Sequence, residues 1–487
     1  MRIVTRRNME AALEVIDARL ASESESLDLR ADRARLLAEL GQIEEAKRQY
    51  LEILKRDPRH LTTLISFSLL LYQAGFTSAA RTASQAAIAF HPENARSHTN
   101  LADLLVYDKK FDAARSHYEI ALQIDPGYLD AHRGLAMVFW ELGDEERAQH
   151  HQSVQFHNRP VETLPYLGTG DPVPLLVFMS ARGGNLPWRD LIDNRVFLII
   201  AIATEFYDQS KPLPWHQLIF NTIGDADICQ PALEAAKSLL AHTTAPVINS
   251  PAAVLATGRM SNAQRLDHLP GVVTPRIVQV ARTLLIGPEG PVAINRHGLA
   301  FPVLLRRPGF HTGQHFVLVD SSDALAAAAA CLPGDDVLMI QYLDARGNDG
   351  LARKYRVMTI GGQLYPLHLA IAEQWKVHYF SAAMSGNAEH QAEEAAFLSQ
   401  MPRVLGPKAM RALELIRDAL GLDYGGIDFG LGRNGEVLLF EANATMLIRP
   451  PDAGAQWDYR RGPIREALDA ARTMLYERAG VGAEAHA

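Results

Sequence analysis

Three oxygen-bearing side chains late in the sequence have the spacing of a cation site. Asp428 lies in GGIDFG, and Glu441 and Asn443 lie in LLFEANA, two strand-like segments joined by a Gly-Arg-Asn-Gly turn. Their oxygens can therefore converge at one edge of a strand pair. Oxygen donors suit magnesium, a hard ion that prefers octahedral oxygen ligands and is usually shared with nucleotide phosphates. Both carboxylates flank apolar runs, where a cation or hydrogen-bond donors must offset their desolvation. The spacing thus directs attention upstream, to a site for ATP.

No GxxxxGK[ST] occurs, so a phosphate loop of that kind is excluded. Residues 256–343 offer another way to hold phosphates. RMSNAQRLDHLPGVVTPRIVQV reads as a helix leading into a strand, and AFPVLLRRPGFHTGQHFVLV as strand, glycine-bearing loop and strand. Arg306, four residues after Pro302, stands at the end of a buried strand. Arg307 is its competitor, and because successive strand side chains point to opposite faces only one of the two serves. Gly309 and Gly313 let the loop backbone approach phosphate oxygens closely. A helix over SSDALAAAAACLPGDD then leads to the strand VLMIQYLDA, whose backbone at Gln341, Tyr342 and Leu343 can pair with an adenine.

In this order the segments resemble an ATP-grasp enzyme, and the resemblance covers about 170–475. It implies an N-terminal α/β substrate domain, a small α+β lid that closes over ATP, and a C-terminal catalytic part. It also implies ATP with two magnesium ions, replaceable by manganese, held by Asp428, Glu441 and Asn443. The lid lysine maps onto Arg306 or Arg307, and the adenine hinge onto Gln341, Tyr342 and Leu343. ARKYRVMTIGGQLYPLH matches the family strand whose basic residue reaches the γ-phosphate or acyl phosphate, so Arg356 or Lys354 takes that role. His368, Trp375, His378 and Tyr379 fall where members of the family shape the acceptor pocket. Thr445, Met446 and Arg449, just after the EAN element, have a similar claim. His311 and His315 in the lid loop have no third ligand at zinc spacing.

The elements that precede this region are of another kind. Gly41, Gly75, Lys109 and Gly143 are spaced by 34 residues, as are Ala46, Ala80, Ala114 and Ala148, and Pro58, Pro92, Pro126 and Pro160. The period and pattern resemble tetratricopeptide repeats, each a helix, a turn and a second helix. Alanine is expected where the two helices touch and proline where the second one ends. The phase gives repeats 27–60, 61–94, 95–128 and a degenerate 129–162, after a helix at about 8–21. Lys109 costs little if its turn needs no positive φ. In the family's register Arg35, Ile65, Leu69, Tyr72, Thr99, Asp103, Arg133, Met137 and Trp140 line a concave groove. That groove suits a peptide or protein partner, with homodimerisation or simple stabilisation as the alternative.

Between the two regions, residues 160–174 are rich in proline and glycine and read as a linker. After it LLVFMS, VFLIIAI, HQLIFN and APVINS alternate with helical stretches, the pattern of buried parallel strands. Ligands of such sheets bind at the carboxyl ends of strands. The turns ARGGN (181–185) and NTIGDAD (221–227) are thus either substrate contacts or tight reversals.

The expected organisation is multidomain: an all-α repeat array over 1–159, a linker over 160–172, and an α/β substrate domain over 173–255. A lid over 256–340, a catalytic part over 341–478 and a tail over 479–487 complete the α/β plus α+β ATP-grasp fold. A net charge of −8 over 487 residues argues against nucleic acid as a partner. Two cysteines make neither a disulfide framework nor a cysteine metal site. No segment has the roughly 18 apolar residues of a membrane span. A cytoplasmic protein without a membrane partner is expected. The activity implied is ADP-forming ligation of a small carboxylate or peptide to an amine or similar nucleophile. The competing reading is a repeat scaffold whose nucleotide domain does not turn over, and a kinase on the same fold is a lesser third.

Overall fold

The computed structural model describes residues 6–189, 191–309, 315–377, 384–451 and 454–481. The chain divides into two compact units, one of residues 1–175 with 194–208, the other of 176–193 with 209–487.

Nine helices among the described residues make up most of the first unit. After Arg6–Ser22 come four pairs: Leu27–Glu39 with Ile43–Arg56, Leu61–Gln73 with Thr77–Phe90, Ala95–Tyr107 with Phe111–Ile124, and Leu129–Glu141 with Glu145–Asn158. Every first helix has 13 residues and every second has 14, so the fourth repeat is as regular as the others. Ala46, Ala80, Ala114 and Ala148 are fully buried, as a close helix contact requires. Three of the four first helices begin where a side chain caps a free backbone N–H, Ser26 for Leu29, His60 for Thr63 and Asn94 for Ser97, while Tyr128 gives the fourth no such cap. At Gly134 a Cβ would lie 2.1 Å from the ring of buried Tyr118, so only glycine fits there.

Lys109 corrects an expectation. Its φ is +59°, in the same left-handed region as Gly41, Gly75 and Gly143, so the turn does need a positive φ and lysine occupies it against steric resistance. The segment read as a linker also contains structure: Val161–Thr163 is a strand paired antiparallel with 200–202. Its backbone groups are satisfied at an edge, where flanking prolines do no harm.

In the second unit, Leu218–Asn221 runs parallel to Val247–Ile248, with Gln230–Leu239 as the intervening helix. A four-stranded antiparallel sheet follows, in the order Ile277–Ala281, Asp336–Gln341, Val303–Arg306, Phe316–Val319. One face of it packs on the short helices Arg282–Ile286, Gly290–Arg296 and Ser322–Ala330, through Leu285, Ile294, Leu305, Leu325 and Met339. A five-stranded sheet comes last, in the order Gln363–Ala372, Ala352–Ile360, Tyr424–Leu431, Val437–Asn443, Val272–Val273, antiparallel except at the final pair. The helical stretch Ala388–Leu420, broken at Gln400 and Gly406 beside Pro402 and Pro407, lies against it. So does Asp458–Arg478, whose buried Arg460 pairs with buried Glu394. Among the described residues no helix is long and apolar enough to cross a membrane.

Candidate functional site

The five-stranded sheet brings the chemistry together by register. Arg356 faces Asp428 across one strand pair, and Asp428 faces Glu441 across the next. Lys354 and Asn443, each two residues along, share those faces. All five line a cavity of about 660 Å³ contained in the second unit.

Asp428 is 2% exposed. Its carboxylate accepts from Lys354 Nζ at 3.1 Å, Arg356 Nε at 2.5 Å and Arg356 Nη2 at 2.7 Å. Burial alone would push its acidity down, but the charges of Arg356 and Lys354 outweigh it and hold the carboxyl well below the usual range. Glu441 Oε1 accepts from Arg259 Nη2 at 2.8 Å and Asn443 Nδ2 at 3.1 Å. Asn443 Oδ1 in turn accepts from the Thr445 amide at 3.0 Å and hydroxyl at 2.8 Å. His368, the strand neighbour of Arg356, is buried and lowered well below its ordinary value, by desolvation first and then by the Arg356 charge.

Arg259 gave no signal in the sequence, because its partner is 182 residues away. It opens the helix Arg259–Leu266, which is fixed to the five-stranded sheet by Asn262 Nδ2 donating to the Ala442 carbonyl at 2.6 Å. Arg306 lines the same cavity, and its guanidinium lies over the Phe316 ring at 5.2 Å. Burial lowers Arg306 to about 10, and the positive charge of Arg259 adds to that. Lys376, also on the cavity wall and also unforeseen, is lowered by burial and then by Arg306. Cations from three separate elements thus converge on one buried space.

Beside Arg306 the cavity also has an apolar wall. Leu304, Ile340, Phe316 and Trp375 form it, the two rings edge to face at 5.3 Å. Tyr342 and Leu343 also line the cavity. Gln341 lines it as well and is tied into the sheet: its amide donates to the Arg276 carbonyl at 2.8 Å and its side-chain oxygen accepts from the Arg276 amide at 3.1 Å. The strand Ile277–Ala281 starts next to Arg276, so sheet pairing occupies the Gln341 amide.

Arg307 turns away from the cavity toward Gly334, which separates it from Arg306 as strand alternation demands. Gly309 has φ +79° beside Ile228 and does not line the cavity. Thr445, Met446 and the exposed Arg449 do line it. Gly313, His311, His378 and Tyr379 lie outside the described residues. The two glycine-containing turns reach the cavity through Gly184, Asn185 and Asp225. Their polar groups hold the turns themselves: Asn185 exchanges two 2.7 Å bonds with the Ser180 backbone, and Asp225 Oδ1 accepts from the amides of Asp227 and Ile228.

Comparison with known proteins bears on the first unit. Residues 27–60, 66–128 and 99–149 match the tetratricopeptide-repeat family. The N-terminal helical array is a tetratricopeptide-repeat array. Solved structures similar to the chain include a crystal structure of MamA, at 16% identity over 31% of this chain and 87% of that one, with a TM-score of 0.27. MamA from Desulfovibrio magneticus RS-1 gives 20% identity over 31% and 88%, with a TM-score of 0.27. A thermophilic tetratricopeptide protein of Thermus thermophilus gives 19% over 31% and 84%, with a TM-score of 0.29. No curated protein matches the chain. The tetratricopeptide array suggests a role in binding protein partners, and a mixed α/β region follows it.

Proposed function

We propose that the second unit is an ATP-grasp ligase that activates a carboxylate as an acylphosphate and joins it to an amine or similar nucleophile, while the tetratricopeptide array recruits a substrate or partner. The observation that carries this reading is the composition of one cavity. Arg259, Arg306, Lys354 and Arg356 line it together with the apolar group Leu304, Phe316, Ile340 and Trp375, and Arg306 lies over the Phe316 ring where the two sets meet. A polyphosphate fits the first and a planar base the second. The order of a small antiparallel sheet with three helices before the sheet bearing Asp428 supports the same reading.

The donor set also fits a hard cation. Asp428, Glu441 and Asn443 occupy neighbouring positions of one strand pair, with oxygens now held by Lys354, Arg356, Arg259 and Thr445. Among the described residues no three His, Cys, Asp or Glu side chains group to hold a metal, and the set proposed here is two carboxylates with the Asn443 amide oxygen. Magnesium held there would neutralise charge on the phosphate oxygens. The chain's own groups do the rest. Arg356, Lys354, Arg306 and Arg259 balance the charge on the γ-phosphoryl group as a substrate carboxylate oxygen bonds to phosphorus and the bond to the bridging oxygen breaks, leaving ADP. The nucleophile then attacks the acyl carbon, phosphate departs, and the amine proton passes to solvent. The apolar wall limits water around the mixed anhydride.

Calorimetry with a non-hydrolysable ATP analogue, followed by phosphate release from ATP against pools of amino acids and small carboxylates, tests the proposal. Absence of nucleotide binding ends it. Binding without phosphate release in any pool favours the second reading, a tetratricopeptide scaffold with a nucleotide domain that does not turn over. The engagement of both Asp428 oxygens by protein cations is the observation on that side.

A further inference from the structure

The carboxylates that would hold a cation are already engaged by cations of the protein. Lys354 and Arg356 between them reach both oxygens of Asp428, and Arg259 takes Glu441 Oε1. These ion pairs are largely enclosed: side-chain exposure is 3% for Asp428, 15% for Lys354, 23% for Arg356, 15% for Arg259 and 29% for Glu441. They span three elements, the strands Ala352–Ile360 and Tyr424–Leu431 and the start of the helix Arg259–Leu266.

We infer that Lys354, Arg356 and Arg259 form a latch that keeps the cation site closed until a polyphosphate occupies the cavity. The inference rests on the reading of this cavity as a polyphosphate site. A divalent cation arriving alone must pull Asp428 and Glu441 from their partners. It would leave three enclosed cations beside a dication without an anion to answer them, which is strongly unfavourable in a desolvated site. A polyphosphate supplies that anion. The three side chains swing from carboxylate to phosphate, and the carboxylate oxygens become free for the metal. Metal and polyphosphate binding are therefore coupled, and by linkage each must strengthen the other by the same factor.

The test is Mn2+ binding to the full chain without nucleotide, read by the electron paramagnetic resonance of free Mn2+, in the wild type, Arg259→Met and Lys354→Met. Each variant removes one side of the latch and spares the donors, so Mn2+ should bind more tightly by a factor in the usual coupling range of roughly 5 to 150. Adding Glu441→Gln to either variant should abolish the gain. Affinity for a metal-free ATP analogue should fall in both single variants. Circular dichroism of both single variants establishes that the fold is retained, and two independent positions guard against one failing to fold. Unchanged or weaker Mn2+ binding in both folded variants overturns the latch, even where the wild type binds the analogue. Tighter Mn2+ binding in the variants of a protein that binds no analogue would leave the closed cation site standing but overturn its release by polyphosphate, and with it the nucleotide reading.

Discussion

Arg356 and Asp428 are register partners on adjacent antiparallel strands, and the guanidinium grips the carboxylate through both Nε and Nη2. The pair is a structural element as well as a chemical one. Asp428→Asn keeps the volume and leaves Lys354 and Arg356 without their anion, so unfolding free energy should drop by about 3 kcal/mol. Urea denaturation measures it, and a loss below about 1 kcal/mol would show that the pair adds little. Because Asp428 is depressed in the folded state, its contribution is complete above the unfolded carboxyl value near about 3.9 and declines only as pH falls below that.

Arg306 and Arg307 offer a controlled comparison, adjacent in sequence and opposite in direction. Arg306→Met should weaken binding of an ATP analogue by about 1.5–3 kcal/mol, the usual worth of a hydrogen bond to a charged group. Arg307→Met should leave it within a factor of about two, since its side chain lies by Gly334. Calorimetric titration separates the two, and equal losses would undo the assignment.

Lys109→Gly should stabilise the array. Glycine relieves a left-handed conformation that costs an L-residue roughly 1–2 kcal/mol, less its own entropy in the unfolded chain, for a net gain of about 1 kcal/mol. The φ of +59° makes the sign unambiguous, and the midpoint of thermal unfolding reads it out.

Two histidine pairs make the array sensitive to acid. His98 and His117 face each other with Nδ1 atoms 3.1 Å apart, and His132 and His151, each 34 residues further on, do so at 2.8 Å. The Nε2 atoms of His98 and His132 each lie 3.0 Å from a proline carbonyl, of Pro92 and Pro126, and so must donate to it. Their Nδ1 atoms are then acceptors, and His117 and His151 are the donors. Burial and then the neighbouring His132 lower His151 to about 4, and His117 is lowered by burial and His98. Protons therefore bind the unfolded chain first, so stability is full above about pH 6.5 and falls toward pH 4. Discounted for the partial exposure of His151, the loss is about 2 kcal/mol. His132→Leu with His151→Ala, the residues at the matching positions 64 and 83, should flatten the pH profile; an unchanged slope would contradict this origin.

The array was legible because one packing contact recurs every 34 residues, and Ala46, Ala80, Ala114 and Ala148 report it directly. Asp428, Glu441 and Asn443 were legible because strand alternation converts their spacing into a shared face. What escaped depended on partners far away in the chain. Arg259 acquires meaning only through Glu441, Gln341 loses its amide only to Arg276 across the sheet, and Lys376 matters through its proximity to Arg306. Lys109 escaped for another reason, since a backbone angle is not written in one residue's chemistry when the preferred glycine has been replaced.

The cavity is lined from Gly184 to Ile464, whereas the last array helix ends at Asn158. Synthesis proceeds from the N-terminus at roughly 5–20 residues per second, so the ribosome needs roughly 15–60 s to pass from one point to the other. During that interval the emerging polypeptide already presents a complete set of repeat helices and lacks part of the cavity lining. A partner of the array can therefore dock on the nascent chain before the cavity is complete.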